Sequence, residues 1–225
     1  MLVDEDRAPL GPPPATEEDA HRLLRDLWWL GAGPVVIGVL YGIWVRLVGD
    51  SAVASVVADG AVACLALSGA IMNRRLVRRA LRFPGARGWG ATLLVALVAA
   101  PTVMLLFSLL ETLGFRFSGG YLGPYVDDGW PPWVGFVSVA VVTPLSEETL
   151  FRGLIQPKLE QFVRPTEALI VQAALFSAAH LSMVILVTHF LMGLSFGWVR
   201  RRTQSLLPGI LLHGAWNAWV VAHSG

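Results

Sequence analysis

The stretch WGATLLVALVAAPTVMLLFSLL, residues 89–110, contains no charged side chain. About 20 predominantly apolar residues in an α-helix cross the hydrocarbon of a bilayer. Inside hydrocarbon, a helix is the structure that satisfies all its backbone groups within one segment. The stretch therefore reads as a membrane span, and similar apolar runs lie at 27–49, 51–72, 130–154, 166–187, 184–200 and 205–223. A chain of 225 residues with 55% hydrophobic content, 15% charged residues and a mean hydropathy of +0.61 falls outside the soluble class. The expected fold is all-α: a polytopic transmembrane helix bundle of about seven helices, six to eight being the range, since the runs between 166 and 200 overlap. Its organisation reads as a leader at 1–26, N-terminal transmembrane helices at 27–129 and a chemistry-bearing transmembrane region at 130–225.

The first run stands behind an acidic, Pro-rich leader without a small-residue cleavage signal, so it reads as a retained span and not a signal peptide. The leader is expected to lack order up to Pro14. Thr16 then caps a short interfacial helix whose first turn carries Glu17, Glu18 and Asp19, as the helix dipole favours. Arg7, Arg22 and Arg25 of the leader, the group Arg74, Arg75, Arg78, Arg79, Arg82 and Arg87, then Lys158 and Arg164, then Arg200, Arg201 and Arg202 all fall on one side if the spans alternate. Only Arg46 and Arg116 fall opposite. The positive-inside rule makes the first side cytoplasmic, with the N-terminus inside. Net charge of +1 gives no footprint for nucleic acid, and the single Cys64 excludes internal disulfides and finger-type zinc sites. The expected setting is a cell membrane, with membrane lipid around the chain. The preference for arginine over lysine points to a bacterial plasma membrane.

Charge within a bilayer costs on the order of 2.5–3.5 kcal/mol per residue, so ionisable residues in the runs are functional candidates. LSEETLFRG, residues 145–153, holds three of them. Glu148 and Arg152 stand four apart with the acid first, the favourable order for an ion pair along one helix. Glu147 is rotated from Glu148 by about 100°, so Arg152 does not serve both and one carboxylate stays free to act. Counted up their helices, Glu147 lies about 15 Å, His180 about 20 Å and His213 about 12 Å above the cytoplasmic ends, which brings all three near mid-membrane. His213 and Asn217 share a face at i and i+4. Pro144 and Ser146 are residues at which the 130–154 run can break, because proline restricts its predecessor and serine is a good N-cap.

A glutamate with two imidazoles suits hydrolysis: the carboxylate takes a proton from water while the histidines polarise it, bind a metal or stabilise an oxyanion with the Asn217 amide. GLSFG, residues 193–197, satisfies the nucleophile-elbow pattern, but it lies within an apolar helix and no acid follows it. Gly193 and Gly197 read instead as a small-residue face for close helix packing. His189 is a packing or supporting candidate, and Asp59 has no evident partner.

Three motifs in order carry a family resemblance over residues 144–218. EETLFRG matches E-E-x-x-x-R, FSAAH (residues 176–180) matches F-x-x-x-H, and HGAWN (residues 213–217) matches H-x-x-x-N. The sequence resembles the CAAX prenyl protease 2-like proteins grouped as the CPBP or Abi family. That resemblance implies an all-helical intramembrane endopeptidase acting on a membrane-associated protein or peptide. On its pattern Glu147 activates water with His180, His213 and Asn217 form the oxyanion site, and Glu148 with Arg152 supports them. It leaves open whether Glu147, His180 and His213 hold a divalent metal such as zinc or work without one. A catalytically silent immunity or scaffold protein that binds a peptide, and a proton-coupled transporter, are the competing expectations.

Overall fold

The computed structural model describes residues 16–114, 120–182 and 185–223. Arg7, Arg116 and the leader up to Ala15 lie outside them. Every described element is helical: α1 Glu17–Val48, α2 Ala52–Met72, α3 Arg74–Ala80, α4 Ala86–Thr112, α5 Gly123–Asp127, α6 Pro132–Leu159, α7 Pro165–Ala179, α8 Leu186–Thr203 and α9 Leu207–His223. The chain is an all-α polytopic membrane bundle. Four helices, α1, α2, α4 and α6, are long and apolar enough to cross a membrane by length and composition. The remaining three apolar runs became the shorter helices α7, α8 and α9.

Three local expectations are corrected. The interfacial helix of the leader and the first span are one continuous helix of 32 residues. Thr16 still caps it, its hydroxyl oxygen accepting the Asp19 N–H at 3.1 Å. The 166–187 run stops as a helix at Ala179, where Leu181 enters the left-handed region at φ 50° and turns the chain toward α8. The 130–154 run does not break at Pro144. Ser146 lies inside the helix and its hydroxyl donates to the Val142 carbonyl instead of capping a new start. The helix accommodates the proline because it is wound in the wider π form over Ser138–Val142, and again over Glu148–Ile155.

α6 is the centre of the bundle, with residues 150–158 all buried. α1, α2 and α4 instead turn large apolar side chains such as Trp28, Leu47, Val57, Leu97 and Leu105 outward, the pattern of helices facing lipid. Leu150, Phe151, Leu154 and Ile155 of α6 pack with Leu30, Ala66, Val103, Phe176, Met192 and Phe196 into one core.

Polar contacts tie the helix ends into two layers. At one end Lys158 Nζ meets Asp26 at 2.9 Å, Arg201 meets Glu160 at 2.8 Å, and the Leu206 N–H donates to the Ala80 carbonyl at 2.7 Å. The start of α1 and the ends of α3, α6 and α8, with their cations, thus lie together. At the other end Asp128 accepts the Ala52 N–H at 2.8 Å, joining α5 to the start of α2.

α7 and α8 form a close hairpin at the glycines identified from sequence. A Cβ on Gly193 would lie 2.8 Å from Ala173 Cα, and one on Gly197 would lie 2.5 Å from both Gln172 and Leu169 side-chain atoms. Ser195 of the elbow-like motif donates to the Leu191 carbonyl at 2.8 Å within its own helix. Gly193→Ala meets backbone and is expected to lower stability by about 1–3 kcal/mol. Gly42→Ala in α1, where nothing lies within 4 Å, is the control expected to be neutral or stabilising. Thermal unfolding of both variants in detergent checks this.

Candidate functional site

The site is assembled from the middle of α6, the tip of α7, the first turn of α8 and the middle of α9. Its innermost group is the Glu148 carboxylate, 1% exposed, beside Arg152, which is wholly buried. The two pair at 3.0 Å between Oε1 and the guanidinium. A lone ion at that depth would carry a penalty of several kcal/mol, so each group is tolerable only through the other. Aromatic rings surround the rest of the guanidinium: its central carbon lies 4.2 Å from the Phe176 ring centroid and 5.4 Å from that of Phe196. Such faces attract a cation without competing for its charge partner. Glycine at 209 makes room for the carboxylate, since a Cβ there would lie 2.9 Å from Glu148 Oε2.

The same Oε1 accepts a hydrogen bond from His213 Nδ1 at 3.0 Å. A carboxylate only accepts, so the proton sits on Nδ1 and the Nε2 of neutral His213 carries a lone pair. His213 is 3% exposed and stacks on Phe196 with ring centroids 5.3 Å apart. Its Nε2 lies 3.7 Å from Glu147 Oε2.

His180 is the C-cap of α7. Its Nδ1 donates to the Phe176 carbonyl at 2.8 Å, which again leaves Nε2 as an acceptor. That Nε2 lies 3.9 Å from Glu147 Oε1. Glu147 thus stands between two imidazoles, and the side chains of Glu147 and His180 keep 15% and 22% of their surface exposed. Both distances are too long for direct hydrogen bonds, and a water bonded to both edges would lie to one side of the line between them. Glu147 Oε2 is itself buried and without a hydrogen-bond partner among the described residues.

Glu147, Glu148, Arg152, His180 and His213 therefore come together. Asn217 is placed differently: its Nδ2 donates to the Val139 carbonyl at 2.9 Å, on α6. His189 joins from α8, its ring 4.0 Å from that of His180, with Nδ1 donating to the Ile185 carbonyl at 3.0 Å. Asp59 acquires a partner in Ser138, whose hydroxyl donates to it at 2.6 Å. Phe176, read from sequence only as the first position of F-x-x-x-H, has a central part, its ring touching Arg152 and three histidines. Its position four residues before His180 was the available signal.

Two imidazoles and a carboxylate are donor types that zinc takes. Among the described residues, however, no three His, Cys, Asp or Glu side chains are arranged to hold a metal ion.

Compared with known proteins, residues 129–219 match a family model described as type II CAAX prenyl endopeptidase Rce1-like. No curated protein and no solved structure matches the chain.

Arg152→Met leaves Glu148 as an uncompensated buried charge and is expected to destabilise by about 3–5 kcal/mol. The double variant Glu148→Gln, Arg152→Met removes both charges and is expected to recover a large part of that loss, a non-additivity that thermal unfolding in detergent measures.

Proposed function

We propose that the chain, whose residues 129–219 match a family model described as type II CAAX prenyl endopeptidase Rce1-like, is an intramembrane endopeptidase that hydrolyses a peptide bond in a membrane-associated protein or peptide. The observation that carries this reading is the pair of gaps around Glu147, 3.9 Å to His180 Nε2 and 3.7 Å to His213 Nε2. A water lying beside either pair meets acceptor atoms on both sides, which orient it by its two O–H donors.

Glu147 is the general base. A water held between its Oε1 and His180 Nε2 gives a proton to Glu147 as its oxygen attacks the scissile carbonyl carbon. The C–N bond breaks when that proton passes to the departing amine. His213 faces the opposite carboxylate oxygen; Nε2, a lone pair in the neutral ring, offers an N–H to the developing oxyanion once it shares the proton that Glu147 takes from water. Glu148, accepting from Nδ1, holds the ring in that orientation. Arg152 pairs with Glu148, and the rings of Phe176 and Phe196 fix the geometry by packing. Each of these steps runs through water and the chain's own side chains.

The substrate reaches the site where Glu147 and His180 keep their exposure. A lipid-modified C-terminal segment is the finer form of the reading, and the arginine-rich end is assigned to the cytoplasmic side of a plasma membrane.

Purified protein in liposomes, incubated with prenylated and unprenylated peptide libraries, tests the proposal. Glu147→Gln, His180→Ala and His213→Ala are each expected to lose about 10²–10⁴-fold in rate, with chelator having no effect. Cleavage that persists in all three variants would move the site elsewhere. Loss with chelator and recovery on adding zinc would replace the metal-free mechanism. Absence of any cleavage by the wild type would favour a protein that binds peptide without cutting it.

A further inference from the structure

Pro144 sits in the middle of α6, in a stretch where helical bonding changes register. In the π-wound turn Ser138–Val142 an N–H reaches five residues back, and Thr143 donates to the Ser138 carbonyl. The next donor in that register belongs to residue 144 and its acceptor is the Val139 carbonyl. Proline has no N–H to give. A carbonyl left so at bilayer depth must be satisfied from elsewhere in the protein.

The donor comes from α9. Asn217 Nδ2 reaches the Val139 oxygen at 2.9 Å. The neighbouring Ala140 carbonyl, which the proline would leave open in ordinary α register, also faces α9: a Cβ on Gly214 would lie 3.0 Å from it. One turn before Asn217 on the same helix stands His213, which meets both glutamates. The contact between α6 and α9 is thus built from a missing donor, a side-chain amide that replaces it and a glycine that lets the backbones approach.

We propose that Asn217 is a positioning residue: its carboxamide latches α9 onto the carbonyl that Pro144 leaves without a donor, and so sets the height and rotation at which His213 faces Glu147 and Glu148. Its consequence for turnover rests on the endopeptidase reading above; the latch does not.

A double-mutant cycle between the two positions tests it in the full chain in detergent, because Pro144→Ala restores the missing N–H. Asn217→Ala alone is expected to lower Tm by about 2–6 °C. In the Pro144→Ala background the same substitution is expected to cost no more than about a third of that. On a cleavable peptide, kcat of the double variant is expected to return to within about threefold of Pro144→Ala alone. An equal Tm loss in both backgrounds, or none in either, overturns the latch. Recovery of Tm with kcat still low overturns the positioning role and makes Asn217 a group that touches the substrate. If Asn217→Ala does not fold, a folded double variant supports the latch and an unfolded one overturns it. Serine at 144 supplies the same N–H should Pro144→Ala not fold. A wild type that cuts nothing would sink the endopeptidase reading while the Tm cycle still decides the latch.

Discussion

The centre of this bundle is organised around a carboxylate that water does not reach. Glu148 is tolerable at that depth only because Arg152 lies 3.0 Å away, and Arg152 is tolerable only because aromatic faces take the sides that the carboxylate leaves open. Removing either ion strands the other, at several kcal/mol. Much of the neighbouring structure follows from this pair. Phe176 and Phe196 must be rings, residue 209 must lack a Cβ, and α7, α8 and α9 must close on α6 tightly enough to keep solvent out. What the pair adds beyond stability is orientation: by accepting from Nδ1, Glu148 settles which nitrogen of His213 looks toward Glu147.

The fold divides this labour among its helices. α1, α2 and α4 spend their apolar side chains on lipid, where one long hydrophobic helix is as good as another of equal length. α6 is buried and carries charge. It tolerates charge because Arg152 stands on the same helix and the imidazoles come from three later helices anchored near the cation-rich end: from the tip of α7, the first turn of α8 and the middle of α9. That common anchoring brings residues far apart in sequence to one depth.

This division also explains what the sequence could disclose. Span lengths and the pairing of Glu148 with Arg152 were legible because they depend on counting along one helix. The convergence of Glu147, His180 and His213 was legible from depth alone. The short end of α7 was not, since it rests on one left-handed residue, Leu181, in a stretch as apolar as its surroundings. The continuity of α6 through Pro144 was hidden for a related reason: proline and serine together look like a helix boundary, and only the carbonyl partner on α9 shows why the helix continues. The Nδ1 bond between His213 and Glu148 links residues 65 positions apart, and no periodicity reports it. Asp59 found its partner in Ser138 in the same way, across two helices.

The two wide-wound stretches of α6 give the helix an unusual relation to its own length. Each holds more residues per turn than a regular helix, as if a residue had been inserted and the winding loosened to absorb it. Removing one residue between Glu148 and Ile155 would tighten that stretch and swing everything before it by about 100° relative to everything after. Glu147 would then leave its histidines while every side chain in the site remained chemically intact. The segment is therefore bound by its residue count as firmly as by its residue types, and a single deletion there acts on the site as a change of reading frame acts on a message.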